Sequence, residues 1–258
     1  MAAKRANVYG VVVVSQLVGF VVVLIVALLF RDPFPPVGDL LWGVAAGLAG
    51  VVGLVALYST LSSGQMGIAA PVSAVVSAAL PVIVAAISQG LPPLVQLTGF
   101  VLGAFGVWLL ARPEQHSEGA ASKNLRLAII AGLSFGSFLV LIHQGSGSSA
   151  YWPLVTARAV SVALLTVFSL IRHRGASWLP AQSMLPLLIL TGVLDIGGNT
   201  FFVLAGQVGR LDVAGVLSSL YPATTVLLAA LILRERLSRG RVIGIGTALL
   251  AVLLIAVP

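Results

Sequence analysis

Two ionisable side chains, Arg158 and Asp195, stand inside long apolar runs of this sequence. Burying a charge at that depth in a bilayer costs about 3 kcal/mol or more unless it is paired or hydrated, so the two are the first candidates for function. The chemistry open to them is recognition: a guanidinium binds an anionic group, and a carboxylate takes up a proton or a cationic group. The same pair serves equally as a buried ion pair that fixes helix packing. Asn199 follows Asp195 by four residues and shares its helical face, where it extends the polar patch or makes an interhelical hydrogen bond. Tyr221-Pro222 interrupts another apolar run, and the missing Pro N–H frees a carbonyl that a cavity or a polar neighbour could satisfy. Such a kink could line a substrate path, and Ser218 in the same run completes the candidate set.

Other chemistries lack their residues. The chain has no Cys, so thiolate metal sites and cysteine nucleophiles are excluded. His116, His143 and His173 fall in no metal-ligand spacing, and no GxxxxGK[ST] run is present to cradle a nucleotide. No Ser, His and Asp converge at one depth, so an intramembrane enzyme is not expected, and no cofactor is implied. The net charge of +7 would suggest nucleic acid on a soluble protein, but here the basic residues sit between apolar runs, so no nucleic-acid partner is expected.

These side chains must be held by elements made for lipid. Of the 258 residues 59% are hydrophobic and 8% charged, against about 25% charged in soluble domains. Runs long enough for a bilayer, about 20 residues each, fall at 7–30, 38–60, 69–89, 92–111, 125–144, 151–172, 184–205, 211–233 and 240–257. Stretches such as Val11 to Phe30 are almost continuously apolar rather than alternating, which predicts helices and not barrel strands. The first run exceeds a signal-peptide core and lacks a small-residue cleavage site, so it is expected to stay in the mature protein. At 1.5 Å per residue Arg158 lies about 10 Å and Asp195 about 15 Å below the same boundary, a difference a long Arg side chain spans. Trp42, Trp108, Tyr151, Trp152 and Trp178 fall near span ends as interfacial anchors. His143 and Gln144, at the end of the fifth span, are expected in solvent. Gly43, Gly47 and Gly50, like Gly99, Gly103 and Gly106, are expected to be packing positions.

Basic residues at helix ends stay in the cytoplasm. Eleven of the fourteen Lys and Arg fall on one side, only Arg31 and Arg210 on the other, and Arg158 within a span, which places the N-terminus inside and the C-terminus outside.

Comparison of the chain with itself at an offset of 145 superposes Gly47 on Gly192, Gly53 on Gly198, Gly64 on Gly209 and Gly99 on Gly244 without a gap. Spans two to four then match seven to nine, and a shift of five helices reverses direction, which predicts inverted repeats. The turn 234–241, rich in Arg, corresponds to the uncharged turn 89–96, as expected if the two face opposite compartments. In this frame Arg158 is paired with Val13, although Ser15 and Gln16 are the polar residues of the matching span; Pro81 sits four residues from the position of Pro222. Two full units exceed the 258 residues, and the unmatched fifth span has its partner before residue 1. The expectation is that the chain begins at an internal Met of a ten-helix protein, with a nine-helix variant as the alternative. The fold class is thus an all-α polytopic membrane protein of nine visible transmembrane helices, in two inverted five-helix repeats. Residues 1–113 form the first repeat, lacking its first helix, and 124–258 the second.

The run Leu217-Ser218-Ser219-Leu220-Tyr221-Pro222-Ala223-Thr224-Thr225, followed by Arg234-Glu235-Arg236-Leu237 and Gly244, resembles the EamA family of the drug/metabolite transporter superfamily. Trp152-Pro153-Leu154-Val155-Thr156-Ala157-Arg158 and Leu194-Asp195-Ile196-Gly197-Gly198-Asn199 look like that family's second repeat. The resemblance implies ten helices around a central substrate cavity. Arg234 stands where the family has Gly, and Gly90 where the first repeat would carry an acid. The family's usual arrangement has both termini in the cytoplasm, contrary to the charge count. The expected function is a multi-pass secondary transporter of the inner, cytoplasmic membrane that exports a small metabolite such as an amino acid around a midplane site. Its partners would be that substrate, the lipid bilayer and a coupling proton. The alternative is a non-transporting membrane scaffold in which Arg158 and Asp195 only hold helices together.

Overall fold

The computed structural model describes residues 8–62, 66–110, 121–172, 180–220 and 239–255. Among these residues there are nine α-helices and no strand. They are α1 (Val8–Leu29), α2 (Val37–Ser62), α3 (Met66–Ser88), α4 (Leu94–Leu110), α5 (Ala121–Gly145), α6 (Trp152–Arg172), α7 (Leu185–Val208), α8 (Leu211–Ser219) and α9 (Arg239–Ile255). Helix is the expected outcome for apolar runs in lipid, because it satisfies every backbone polar group within one segment. Five helices, α1, α2, α5, α6 and α7, are long and apolar enough to cross a bilayer. Most of their surface points away from the protein: Leu28, Leu187, Leu194 and Phe201 are all exposed, as suits side chains solvated by acyl chains. Most of the eighth span expected at 211–233 lies outside the described residues.

The described contacts form two compact units, Met1–Val51 with Leu141–Val208, and Val52–Val140 with Gly209–Pro258. The division falls within α2 and within α5.

In the first unit, α1 packs against α6 and α7. Glycines allow the close approaches. A Cβ on Gly47 of α2 would lie 2.6 Å from the Ala157 carbonyl oxygen of α6, and one on Gly192 of α7 would lie 2.5 Å from the Ser15 carbonyl oxygen of α1. α1 ends in a Schellman-type closure: Asp32 N–H donates to Ala27 O and Arg31 N–H to Leu28 O, with Arg31 left-handed at φ 51°. That turn delivers Asp32 to the start of α6. Its carboxylate accepts from the Ser149 hydroxyl and from Tyr151 N–H, and its carbonyl accepts from Trp152 Nε1 at 3.1 Å. Ser149 Oγ in turn accepts from Trp152 N–H. The first amides of α6 thus meet a hydroxyl and an anion, the partners a helix N-terminus prefers. Asp39, in the first turn of α2, accepts from the Ser148 hydroxyl.

In the second unit, α4 and α9 pack along their lengths. A Cβ on Gly99 would lie 3.2 Å from Ala251 O and one on Gly106 3.1 Å from Gly244 O, so both glycines let the helices come close. Phe100, Val216, Ala251 and Ile255 form one buried cluster; Ala74, Val107, Leu220 and Ala248 form another. Pro81 lies within α3, where its ring removes the donor that Ser77 O would otherwise receive. Gly136 of α5 approaches that carbonyl, and Gly215 of α8 makes room for the Pro81 ring. At the start of α8 Arg210 grips the fully buried Asp212 through Nε and Nη2, and Nη2 also donates to Gly90 O at 2.8 Å. The Asp212 hydrogen bonds hold the Arg210 guanidinium above its usual range. Gly90, at φ 82°, makes the turn that presents its carbonyl to Arg210.

Candidate functional site

Arg158 reaches from α6 into the first unit with its side chain only 6% exposed. Nη2 lies 2.7 Å from Asp195 Oδ2 on α7, and Nη1 donates to Gln16 Oε1 on α1. A buried guanidinium requires this: stripped of water it must be paired and hydrogen-bonded. Nε is enclosed without a partner, beside the space left by Gly19. Two adjoining helices therefore supply an anion and a neutral acceptor, and a glycine on α1 provides clearance.

Asp195 is different in kind. Its side chain is 50% exposed although it is near the middle of α7. Gly197 and Gly198, just beyond it, face open space. Asn199 donates through Nδ2 to the Asp195 carbonyl oxygen at 3.1 Å, within its own helix. The amide thus caps a local turn beside the carboxylate instead of bonding it. Arg158 and Asp195 meet as their depths suggested, and Asn199 joins them through the backbone. Ser218 is exposed on α8 in the second unit. Tyr221 lies outside the described residues.

Gln16 is the partner that sequence reasoning passed over. An amide inside an apolar helix was its signal, but the 145 frame sets Val13 opposite Arg158. Ser15, next to it, bonds Val12 O in its own helix. His143 also departs from expectation. α5 continues to Gly145, and the imidazole packs on Gly206 of α7 with Nδ1 enclosed, while Gln144 is exposed. Gln207 Nε2 donates to Ser146 O one turn away.

The arrangement is an electrically neutral, buried cation–carboxylate pair whose anionic end is open. It can recognise or exchange a charged or proton-bearing group. Among the described residues no group of three or more His, Cys, Asp or Glu could hold a metal.

Comparison with known proteins agrees with this membrane setting. None of the curated proteins compared with the chain matches it. One solved structure, "Crystal structure of protein", superposes with a TM-score of 0.79 over 98% of this chain and 88% of that one; at 17% identity it shows a shared fold. The model of the EamA-like transporter family matches residues 123–257, more than half of the chain. Members of that family are membrane transporters, not enzymes. A multi-pass helical chain with this match belongs to the EamA-like transporter family.

Proposed function

We propose that the protein is a secondary transporter that exports a small metabolite, such as an amino acid, across the cytoplasmic membrane. Alternating access would arise between two inverted repeats, 1–113 and 124–258. The observation that carries this reading is the Arg158–Asp195 pair: a buried guanidinium bonded to a half-exposed carboxylate, between apolar helices of a transporter-family chain. In a scaffold both ends of such a pair could be sealed; here one faces open space. Arg158 would receive an anionic group of the substrate, and Asp195 a proton or a cationic group. Asn199, Ser218 and Tyr221 are proposed to contribute further polar groups to substrate binding.

Two contact patterns support inversion. In the second unit Gly99 meets Ala251 and Gly106 meets Gly244, so α4 and α9 run antiparallel. Under the 145 offset Gly99 becomes Gly244 and Gly106 becomes Ala251, so each contact turns into the other. A two-fold axis perpendicular to the two helices has that effect; an axis along them would make them parallel. Energy would come from an ion or substrate gradient.

Purified protein in liposomes, supplied with a metabolite panel with and without a pH gradient, tests the reading. Saturable flux of one compound, changed by the gradient, is the expected result. Absence of flux for every compound, in vesicles where the protein is inserted and folded, would favour the scaffold.

A further inference from the structure

We infer that the substrate is recognised first by an ammonium or other N–H donor group, bound at Asp195 in an acceptor-lined opening of α7, with Arg158 as the positioning residue behind it. The inference rests on the transport reading above and names the substrate class.

Leu188, Thr191, Asp195, Asn199, Phe202 and Gly206 follow one another along α7 at steps of three and four residues and so share one stripe of the helix. Leu188, Phe202 and Gly206 are buried, so the stripe is covered at both ends. Thr191 and Asp195, between them, are exposed. From Leu188 to Phe202 the stripe is about 21 Å long at 1.5 Å per residue. Leu187, Leu194 and Phe201, the exposed apolar side chains suited to lipid, stand on the adjoining side of the helix. The stripe is therefore a covered surface opened over its middle, and the middle is where its polar residues lie. A Cβ on Gly198, one turn from Asp195, would have nothing within 4 Å, which leaves room for a ligand beside the carboxylate.

The donors of this opening are mostly spent inside the helix. The Thr191 hydroxyl donates to Leu187 O at 2.8 Å, and Asn199 Nδ2 donates to Asp195 O at 3.1 Å. What these residues still offer is acceptors: the lone pairs of the Thr191 hydroxyl, Oδ1 of Asn199, and the Asp195 carboxylate, which gives Oδ2 to Arg158. Against them stands the second N–H of Asn199. Arg158 adds no donor to the open space. Its side chain is 6% exposed, Nη2 is held by Asp195 and Nη1 by Gln16, and Nε is enclosed.

An anion approaching this face meets a like charge first, with the guanidinium sealed behind it. An ammonium meets a carboxylate and two neutral acceptors, spaced about 6 Å apart along the helix. A charge-assisted N–H to carboxylate bond is the strongest contact on offer there. In this conformation the amine decides entry, and Arg158 fixes the direction of the carboxylate by holding one of its oxygens. An anionic group on the same substrate reaches Arg158 only after the side chains around it part, so it is dispensable at the recognition step.

The chain has no cysteine, so Gly198→Cys supplies a sole thiol in open space three residues beyond Asp195. Its alkylation by a maleimide is timed in folded, detergent-solubilised protein while n-butylammonium, n-butyrate or n-butanol is titrated in; the three share an alkyl chain and differ in head group. Butylammonium should slow alkylation saturably, by about fivefold once it exceeds its dissociation constant about fourfold, and butyrate and butanol should not. Asp195→Asn should abolish the protection. If that variant fails to fold, the Arg158→Gln/Asp195→Asn double variant, which leaves no unpaired charge, reads the same loss. Protection by butyrate or butanol equal to that by butylammonium, protection by none of the three, or protection that survives removal of the Asp195 carboxylate would overturn the inference. In liposomes, Asp195-dependent flux of a compound with no N–H donor would overturn it while leaving the transport reading intact. Butylammonium protection in a protein that carries no compound of the metabolite panel would support amine recognition at Asp195 and overturn the transport reading instead.

Discussion

Arg158 and Asp195 meet across two helices, and the energetic consequence is asymmetric. Asp195→Asn leaves a guanidinium that is 6% exposed with a neutral partner only, and should destabilise the protein by about 2 kcal/mol, below the range for a fully buried pair because Asp195 is half exposed. Arg158→Gln with Asp195→Asn removes both charges and should recover all but about 1 kcal/mol. Thermal unfolding in detergent reads both, and a double variant less stable than Asp195→Asn would contradict the account. Arg31 offers a simpler case: a left-handed non-glycine residue at the end of α1, held by the Schellman bonds. Arg31→Gly should stabilise by about 0.5–1 kcal/mol in the same assay, and a loss would mean that the Arg31 side chain contributes more than its backbone strain removes. The pairing of Arg158 with Asp195 was legible in the sequence, because rise per residue sets depth and only two charges lay deep. Gln16 was not. An amide carries no sign to point at its partner, and the gapless 145 frame sets Val13, not Gln16, opposite Arg158.

At the scale of elements, the apolar runs marked the helices because lipid leaves a spanning segment little alternative to satisfying its own backbone. Eight of the nine described helices follow expected runs with ends that differ by a few residues, and α8 is the described start of the run at 211–233. The Asp32 bonds to Tyr151 and Ser149 define the start of α6, and no periodicity encodes a cap supplied by another helix turn. His143 was misjudged for a related reason: the packing space on Gly206 comes from a helix sixty residues away in sequence, roughly the length of two spans and their loops. Of the glycines expected to pack, Gly43, Gly47, Gly99, Gly103 and Gly106 lie against a neighbouring helix, whereas Gly38, which carried no such expectation, has nothing near it. Gly47→Ala would drive a Cβ to 2.6 Å from the Ala157 carbonyl oxygen, and should cost about 1–3 kcal/mol as α2 and α6 are forced apart. Gly38→Ala, with nothing within 4 Å, should be neutral or gain up to about 1 kcal/mol from helix propensity. Unfolding temperatures of the two variants check this, and equal losses would mean that close approach at Gly47 is not what holds those helices.

For the molecule as a whole, composition set the solvent: 8% charge and 59% hydrophobic residues leave too little polar surface for water, and the exposed side chains on α1 and α7 bear that out. Family membership was legible in residues 125–258 because the family's turn and proline-bearing run lie there. The most direct test of the central claim, that the Arg158–Asp195 pair is a transport site and not a brace, uses liposomes and whichever metabolite the parent protein carries fastest. Initial flux per inserted molecule is compared for the parent, Asp195→Asn and the Arg158→Gln/Asp195→Asn double variant, each confirmed folded by its unfolding temperature. The account predicts that both variants lose flux by about ten- to a hundredfold, the worth of one or two charge-assisted hydrogen bonds to substrate, even where the double variant is as stable as the parent. A stable double variant that carries the metabolite at the parent's rate would contradict it.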